Sequence, residues 1–218
     1  MINLFGWLAC APSPPVQEEV VDLRPDIILV TIDTLRADRL GAYGDELAKT
    51  PNLDRLAAEG VLFTESHAVT PLTLPSHVSM LTGLLPKHHG VRDNAGFVLD
   101  DEVQTITETL RENGYDTAAF VSAYVLSHAW GLDQGFDVYH DPFHPRDLLK
   151  VAAFGEAQLP GNEVLNVAKT WWKNQERETP DVPKFGWVHL YDPHTPWDPP
   201  TDWEGDPYRG EIAKVDRW

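Results

Sequence analysis

Asp33 opens the first of three short polar clusters whose residue types and spacing could carry out chemistry. It follows the apolar, β-branched run P-D-I-I-L-V-T-I at positions 25–32, and Thr34, Arg36 and Asp38 come just after it. Such a run predicts a buried parallel strand, and ligands of open α/β sheets bind outside the carboxyl ends of strands. The Asp33 carboxylate can therefore bind a hard cation such as Ca²⁺ or Mg²⁺, or it can cap a following helix.

The second cluster is T-L-P-S-H at positions 73–77, where two hydroxyls and an imidazole stand at the start of a predicted helix. The free N–H groups and partial positive charge of that helix end favour an oxyanion. The Thr73 hydroxyl could attack phosphorus or sulfur if a metal ion lowered its pKa. Hydroxyl residues also begin helices as ordinary caps, so both interpretations stay open here.

The third cluster is H-L-Y-D-P-H-T-P-W at positions 189–197, in which two histidines, His189 and His194, flank Asp192. The prolines brace this loop after a predicted strand, and rigidity of that kind favours a preorganised site. A surface turn with incidental histidines is the alternative. The convergence of three such side chains favours a functional loop.

The elements that must position these clusters alternate along the chain, which predicts an α/β fold with a mainly parallel sheet. Apolar β-branched runs predict the strands, and apolar periodicity with Pro and Gly boundaries predicts the helices. We expect strands at 25–32, 61–69, 117–123 and 185–191, and helices at 51–60, 76–83, 104–113 and 163–177.

Composition narrows the range of functions. The 218 residues carry 17 basic and 34 acidic side chains, a formal net charge of −17, which argues against a surface that binds nucleic acid through its phosphates. One cysteine excludes an intrachain disulfide framework and a multi-cysteine zinc module. A hydrophobic content of 42% is enough for a packed core.

Residues 1–24 are expected to form a separate tail and linker ahead of residues 25–218, which are expected to form the amino-terminal part of a longer domain. The run I-N-L-F-G-W-L-A-C-A at 2–11 is shorter than the roughly 18 apolar residues that span a bilayer. Its Leu-Ala-Cys ending is similar to that of a bacterial lipoprotein signal, which implies a lipid anchor at Cys10 and a periplasmic or membrane-anchored protein. The alternative is a frayed apolar tail on a cytoplasmic protein.

Several ordered motifs carry a family resemblance. They are D-I-I-L-V-T-I-D-T-L-R-A-D-R-L-G-A-Y-G, T-P-N-L-D-R-L-A-A-E-G-V-L-F-T, T-L-P-S-H-V-S-M-L-T-G-L-L-P-K-H-H-G-V, H-L-Y-D-P-H-T-P-W-D-P-P and Y-R-G-E-I-A-K-V-D. Together, from about residue 25 to residue 218, they resemble the amino-terminal part of the sulfatase family of the alkaline-phosphatase-like superfamily. The resemblance implies an α/β sandwich with a large central sheet and metal-dependent hydrolysis of sulfate esters carried by a small molecule or a saccharide.

The resemblance also implies roles for individual residues. Asp33 matches the first metal-binding aspartate, for a divalent ion that is usually Ca²⁺, with Mg²⁺, Mn²⁺ and Zn²⁺ as alternatives. Thr73 matches the nucleophile. The other candidate catalytic residues are His77, Lys87, His89 and His194, and the candidate substrate-binding residues are Asn94, His189 and Asp192.

Three positions depart from the family pattern. Thr34 stands where many relatives have a second aspartate, and His77 stands where an arginine is usual. Thr73 replaces the Cys or Ser that becomes formylglycine, and we expect no formylglycine there because its Cβ carries a methyl group. Related phosphodiesterases and phosphonate hydrolases use an unmodified threonine, so the resemblance leaves a phosphodiester or phosphonate hydrolase open as an alternative.

The Asp-His-Gly segment that supplies later metal ligands in the family does not occur in the sequence. The sequence therefore predicts a domain truncated on its carboxyl side, weak metal binding and little turnover by these residues alone. A non-catalytic remnant is a further alternative, and a separately encoded second half is a possible partner.

Overall fold

The fold is built on a four-stranded sheet whose strands all run parallel. A computed structural model describes residues 24–143 and 157–218. The strand order is β1-β4-β2-β3, so the first and last strands of the chain pair with each other. The strands are β1 Ile27–Ile32, β2 Asp116–Val121, β3 Val138–His140 and β4 Lys184–Leu190. The α/β class and the parallel sheet are confirmed.

Six α-helices cover the sheet and its loops within the described ranges. Four of them agree closely with the helices expected from the sequence, whereas α3 and α6 lie outside the expected ranges. They are α1 Pro51–Glu59, α2 Thr73–Thr82, α3 Pro86–His89, α4 Ile106–Glu112, α5 Gly161–Glu178 and α6 Pro207–Asp216. None of these helices is long and apolar enough to cross a membrane.

Each face of the sheet has its own apolar core because side chains alternate along a strand. Ala119, Val121 and Trp187 face one side, where α2 contributes Leu74 and Val78. Phe120, Val188 and Leu190 face the other side, where α5 contributes Val164 and Ala168. All seven residues of β4 are buried, including the polar Lys184 and His189, because the strand lies between β1 and β2 and is covered on both faces.

The structure differs from the predicted strands and helices at three places. Residues 61–69 do not form a strand, because no neighbouring strand pairs with them, and Val61 and Phe63 point largely into solvent. The helix expected from Ser76 begins at Thr73, since a proline in the first turn interrupts no helical hydrogen bond. The short strand β3 was not expected.

The amino-terminal expectations fall outside the described residues. These include the lipid anchor at Cys10 and nearly all of the 1–24 segment.

Candidate active site

The site begins where β1 ends. The Asp33 backbone N–H donates to the Leu190 carbonyl at 2.9 Å, which extends the β1–β4 pairing by one residue and places the carboxylate at the carboxyl edge of the sheet. Thr34 then takes a left-handed conformation, with φ of 53°, and turns the chain sharply. The Asp33 side chain is only 9% exposed, so its charge lies close to its protein neighbours.

Tyr208, on α6, holds this turn from outside. Its hydroxyl donates to the Thr34 carbonyl at 2.6 Å and accepts from the Arg36 backbone N–H at 2.9 Å. A left-handed backbone conformation is energetically costly for a residue with a branched side chain such as Thr34. The two hydrogen bonds from Tyr208 help to offset that cost. No pattern in the sequence pointed to this role, because the partners are more than 170 residues apart.

Thr73 reaches Asp33 from the first turn of α2. Its Oγ1 donates to Asp33 Oδ2 at 3.1 Å. The Asn94 Oδ1 accepts from the Leu74 N–H at 2.9 Å, so it occupies one of the free N–H groups at this helix end. The carboxylate at the sheet edge and the hydroxyl at the helix start therefore form one pair.

His77 lies one helical turn beyond Thr73. Its Nδ1 donates to the Thr73 carbonyl at 2.7 Å, which leaves Nε2 as the unprotonated nitrogen of a neutral ring. That Nε2 is buried and has no hydrogen-bond partner in the described part of the chain. Burial, with the nearby His189, lowers the pKa of His77 to about 3, so the ring stays neutral at physiological pH.

His189, near the end of β4, completes the inner wall. It is fully buried, its ring centroid lies 5.0 Å from that of His77, and its Nε2 lies 3.6 Å from Asp33 Oδ2. Nε2 also has no hydrogen-bond partner among residues 24–143 and 157–218. Burial alone would raise the pKa of Asp33, but His189, His77 and the Thr73 hydroxyl together bring it below its ordinary value, so Asp33 is ionised.

A cavity of about 550 Å³, here called the Asp33 cavity, lies beside these groups. Its lining includes Asp33, Thr34, Thr73 and His77, together with the loop at 66–72. A hydroxyl next to an ionised carboxylate, with an unprotonated imidazole nitrogen one turn away, is a suitable arrangement for nucleophilic attack on an ester.

Comparison with known proteins identifies the family to which this site belongs. The model of the sulfatase family matches residues 25–214. The chain is a member of the sulfatase family. The match includes all the site residues described above.

A curated relative is the N-acetylglucosamine-6-O-sulfatase of Bacteroides thetaiotaomicron, which is 30% identical over 91% of this chain. The chain spans 36% of the length of that sulfatase. A solved structure of a protein in complex with its substrate D-glucosamine-2-N,6-O-disulfate superposes with a TM-score of 0.67 at 26% identity, covering 81% of this chain and 36% of the other.

The phosphonate monoester hydrolase of Agrobacterium radiobacter is a second structural neighbour. Its TM-score is 0.64 at 25% identity, and the match covers 82% of this chain and 43% of that one. The sulfatase fold of this chain is therefore shared with a hydrolase of phosphorus esters.

Other residues expected at a sulfatase site lie outside the Asp33 cavity. Lys87 is exposed on α3. His89 is buried, and both its ring nitrogens are engaged, with the Ser79 hydroxyl at 3.0 Å and the Val91 N–H at 3.2 Å. Burial lowers its pKa. These contacts give His89 a structural role between α2 and α3.

The loop after β4 carries two of the expected site residues, Asp192 and His194, and they have different surroundings. Asp192 accepts from the Gly161 N–H at 3.2 Å and pairs with Lys214 at 3.1 Å, so it joins α5 to α6. His194 stacks on Tyr191 with ring centroids 4.3 Å apart, and its Nδ1 donates to the Thr195 carbonyl at 2.6 Å. His194 lies beside the next cavity, which adjoins the Asp33 cavity at Thr34.

Enzymes of the sulfatase family generally use a divalent metal ion. The buried, ionised Asp33 carboxylate has the oxygen chemistry that a hard cation prefers. Across the described ranges, however, no group of three or more His, Cys, Asp or Glu residues is arranged to hold a metal. These residues therefore do not complete a metal site.

Proposed function

We propose that this chain contributes the nucleophile side of a sulfatase-type hydrolase that cleaves sulfate esters of small molecules or saccharides. The observation that carries the proposal is the 3.1 Å hydrogen bond between Thr73 Oγ1 and the ionised Asp33 carboxylate. Membership of the sulfatase family and the curated N-acetylglucosamine-6-O-sulfatase relative support a sulfate ester as the substrate.

The chemistry follows from the positions of these groups. Thr73 Oγ1 attacks sulfur, the bond from sulfur to the alcohol oxygen breaks, and a threonine sulfate ester forms. The Thr73 hydroxyl proton lies in the hydrogen bond to Asp33 Oδ2, so the Asp33 carboxylate can accept it and return it to the alcohol oxygen as that oxygen leaves. His194 can contact the leaving oxygen. Water then attacks sulfur in a second step, which releases sulfate and restores the threonine.

The cofactor proposed for this hydrolase is a divalent ion bound to Asp33, with Ca²⁺ first and Mg²⁺, Mn²⁺ and Zn²⁺ as alternatives. Such an ion supplies charge that stabilises the developing anion. Because the described residues complete no metal site, none of the steps above depends on it.

Hydrolysis of a phosphodiester or phosphonate ester is the second candidate function. Its support is the threonine at the nucleophile position and the structural similarity to a phosphonate monoester hydrolase. A non-catalytic remnant is the third, supported by the incomplete metal ligand set among residues 24–143 and 157–218.

Paired ester substrates separate these candidates. The protein, expressed from its complete gene, is assayed on nitrophenyl sulfate, nitrophenyl phosphate and a phenyl phosphonate ester with each divalent ion in turn. We expect the sulfate ester to be hydrolysed fastest, and the Thr73→Ala variant to lose about a thousandfold or more in rate.

The matched control is Thr70→Ala, because Thr70 lines the same cavity and makes no hydrogen bond to Asp33 in the described part of the chain. It should keep most of the activity. Faster hydrolysis of a phosphorus ester would favour the second candidate, and no hydrolysis of any ester with any ion would favour the third. An unchanged rate in Thr73→Ala would show that the nucleophile assignment is wrong.

A further inference from the structure

A second cavity, of about 350 Å³, adjoins the Asp33 cavity and shares Thr34 with it. It is here called the Arg39 cavity. The residues that matter for its chemistry are Arg36, Arg39, His194, Trp197 and Tyr208. The cavity therefore combines cationic, aromatic and imidazole side chains immediately beside the proposed ester site.

Arg39 is the unusual member of this set. Its Nε is buried and finds no hydrogen-bond acceptor among the described residues. The other arginines nearby are paired, Arg36 with Asp38 at 2.6 Å and Arg209 with Asp45. A buried guanidinium nitrogen without an acceptor is unfavourable, and here it occurs in a chain with an excess of 17 negative charges.

The acidic residue of the same cavity does not neutralise Arg39. Asp206 lines the cavity, but its carboxylate accepts from the Tyr208 N–H at 3.1 Å and lies 3.9 Å from Arg209 Nε. Asp206 thus caps the amino-terminal end of α6 and contacts a different arginine, Arg209. The carboxylates of Asp38 and Asp45 are near enough to interact with the charge of Arg39, but the Arg39 Nε still has no acceptor among the described residues.

Trp197 provides a flat apolar surface at the same place. Its side chain is 43% exposed, and the indole Nε1 donates to the Pro193 carbonyl at 3.0 Å, which fixes the ring. An exposed aromatic ring held in one orientation is suited to contact the apolar face of a sugar. His194 lies in the same cavity with Nδ1 already bonded, so its Nε2 remains for a ligand.

We propose that the Arg39 cavity binds the saccharide that carries the ester, and that Arg39 pairs with a second anionic substituent on that saccharide. The preferred substrate class is a short sugar bearing the sulfate ester and a further sulfate or carboxylate. Trp197 packs on its ring. The net charge of −17 favours a mono- or disaccharide over a long polyanion, which this protein would repel. The assignment of the neighbouring ester site rests on the proposed function.

Binding is measured by calorimetry with the full-length protein in a Thr73→Ala background, so that no probe is turned over. The probes are glucose 6-sulfate, D-glucosamine 2-N,6-O-disulfate and glucuronic acid 2-sulfate, which differ in having no second anion, a sulfate or a carboxylate. We expect the two doubly anionic probes to bind about tenfold tighter than glucose 6-sulfate. Whichever binds tighter identifies the second anion.

Three further substitutions test the residues. Arg39→Met should remove the preference while glucose 6-sulfate binding changes by less than about twofold, since one charge-assisted contact is lost. Arg39→Lys should keep part of it, and Trp197→Ala should weaken all three probes. Arg177→Met is the control, because Arg177 pairs with Glu178 on α5, away from both cavities.

A preference that survives in Arg39→Met, or an equal loss for all three probes in that variant, would overturn the proposal. Circular dichroism of each variant shows that it is folded. The proposed function fails separately: if the unmodified protein hydrolyses no ester but the Arg39-dependent preference remains, the anionic subsite stands without the catalytic assignment.

Discussion

Strands β1 and β4 are neighbours that both end at the site, yet they are covered very differently. β4 pairs on both sides and all seven of its residues are buried. Among residues 24–143 and 157–218, β1 pairs only with β4, and it exposes Ile28 by 60% and Val30 by 52%. Both strands deliver a site residue, His189 from β4 and Asp33 from β1.

The difference shows that two sides of the site are stabilised in different ways. They are here called the β1 wall, which carries Asp33, and the β4 wall, which carries His189. Parallel strands are normally covered on both faces. On the α2 face, Ile27 and Leu29 of β1 pack against the core. On the opposite face Ile28 and Val30 are exposed, and Ile32 at the end of the strand packs against the second core. The β4 wall thus rests on packing, and the β1 wall rests on the pairing with β4 and on the Tyr208 contacts to the turn after Asp33.

The largest effect should come from the centre of the β4 wall. Trp187 is fully buried, its Nε1 donates to Thr31 Oγ1 at 3.0 Å, and its ring lies against His77. Trp187→Ala should lower the free energy of unfolding by about 3–5 kcal/mol, measured by denaturant titration. The matched control Trp197→Ala, at an exposed tryptophan, should cost about 1 kcal/mol or less. Equal losses would contradict the account of this wall.

The second effect is a pH dependence that originates at the same wall. Burial keeps His77 neutral in the folded protein, with a pKa of about 3, whereas an unfolded histidine titrates near 6.5. Below about pH 6.5 the unfolded state binds a proton that the folded state does not, so stability falls as the pH falls towards 3. Between pH 6.5 and 5 the loss should be about 2 kcal/mol.

Denaturant titrations at these two pH values measure that loss, and His77→Gln is the control. The variant should be less sensitive to pH, although His89, whose pKa burial also lowers, keeps a residual dependence of the same sign. An identical pH dependence in the variant and the parent would show that His77 is not the source.

The third effect tests the anchor of the β1 wall. Tyr208→Phe removes the hydroxyl that bonds the Thr34 carbonyl and the Arg36 N–H, and it should cost about 1 kcal/mol. Amide hydrogen exchange at Arg36 should become faster. Tyr43→Phe is the control, because its hydroxyl bonds the Phe63 carbonyl at the surface. Unchanged exchange at Arg36 in Tyr208→Phe would show that the Tyr208 hydroxyl does not stabilise the turn after Asp33.

The smallest effect compares the two strands directly. Val30 and Val188 are register partners on the same sheet face, but Val188 is only 6% exposed. Val30→Thr should change the free energy of unfolding by less than about 0.5 kcal/mol. Val188→Thr should cost about 1–3 kcal/mol, because it buries a hydroxyl in an apolar core. Similar costs at both positions would mean that β1 is covered as well as β4.

The strand ends of the site could be predicted from the sequence, because β1 is a nearly continuous apolar run followed by Asp33 and β4 is a mostly apolar segment that leads into the polar residues at 189–194. Parallel strands bring their carboxyl ends to one edge, which accounts for Asp33 and His189. The assignment of residues 61–69 to a strand failed, since an apolar run is not enough without a partner strand.

Contacts across the chain could not be predicted in this way. No periodic pattern in the sequence predicts the hydrogen bond from Thr73 to Asp33 or those from Tyr208 to the turn at Thr34. The Asn94 contact with the start of α2 and the internal bonding of His89 likewise depend on tertiary packing. The family motifs named candidate residues, and the structure shows which of them face one cavity.

The central claim is that Thr73 is the nucleophile, and rapid-quench mass spectrometry tests it most directly. The protein from the complete gene is mixed with nitrophenyl sulfate, stopped with acid during turnover and digested, beside the Thr73→Ala variant. The account predicts one added sulfonate group on Thr73 and none in the variant. A sulfonate group on a different residue, or turnover by Thr73→Ala at the parent rate, would contradict it.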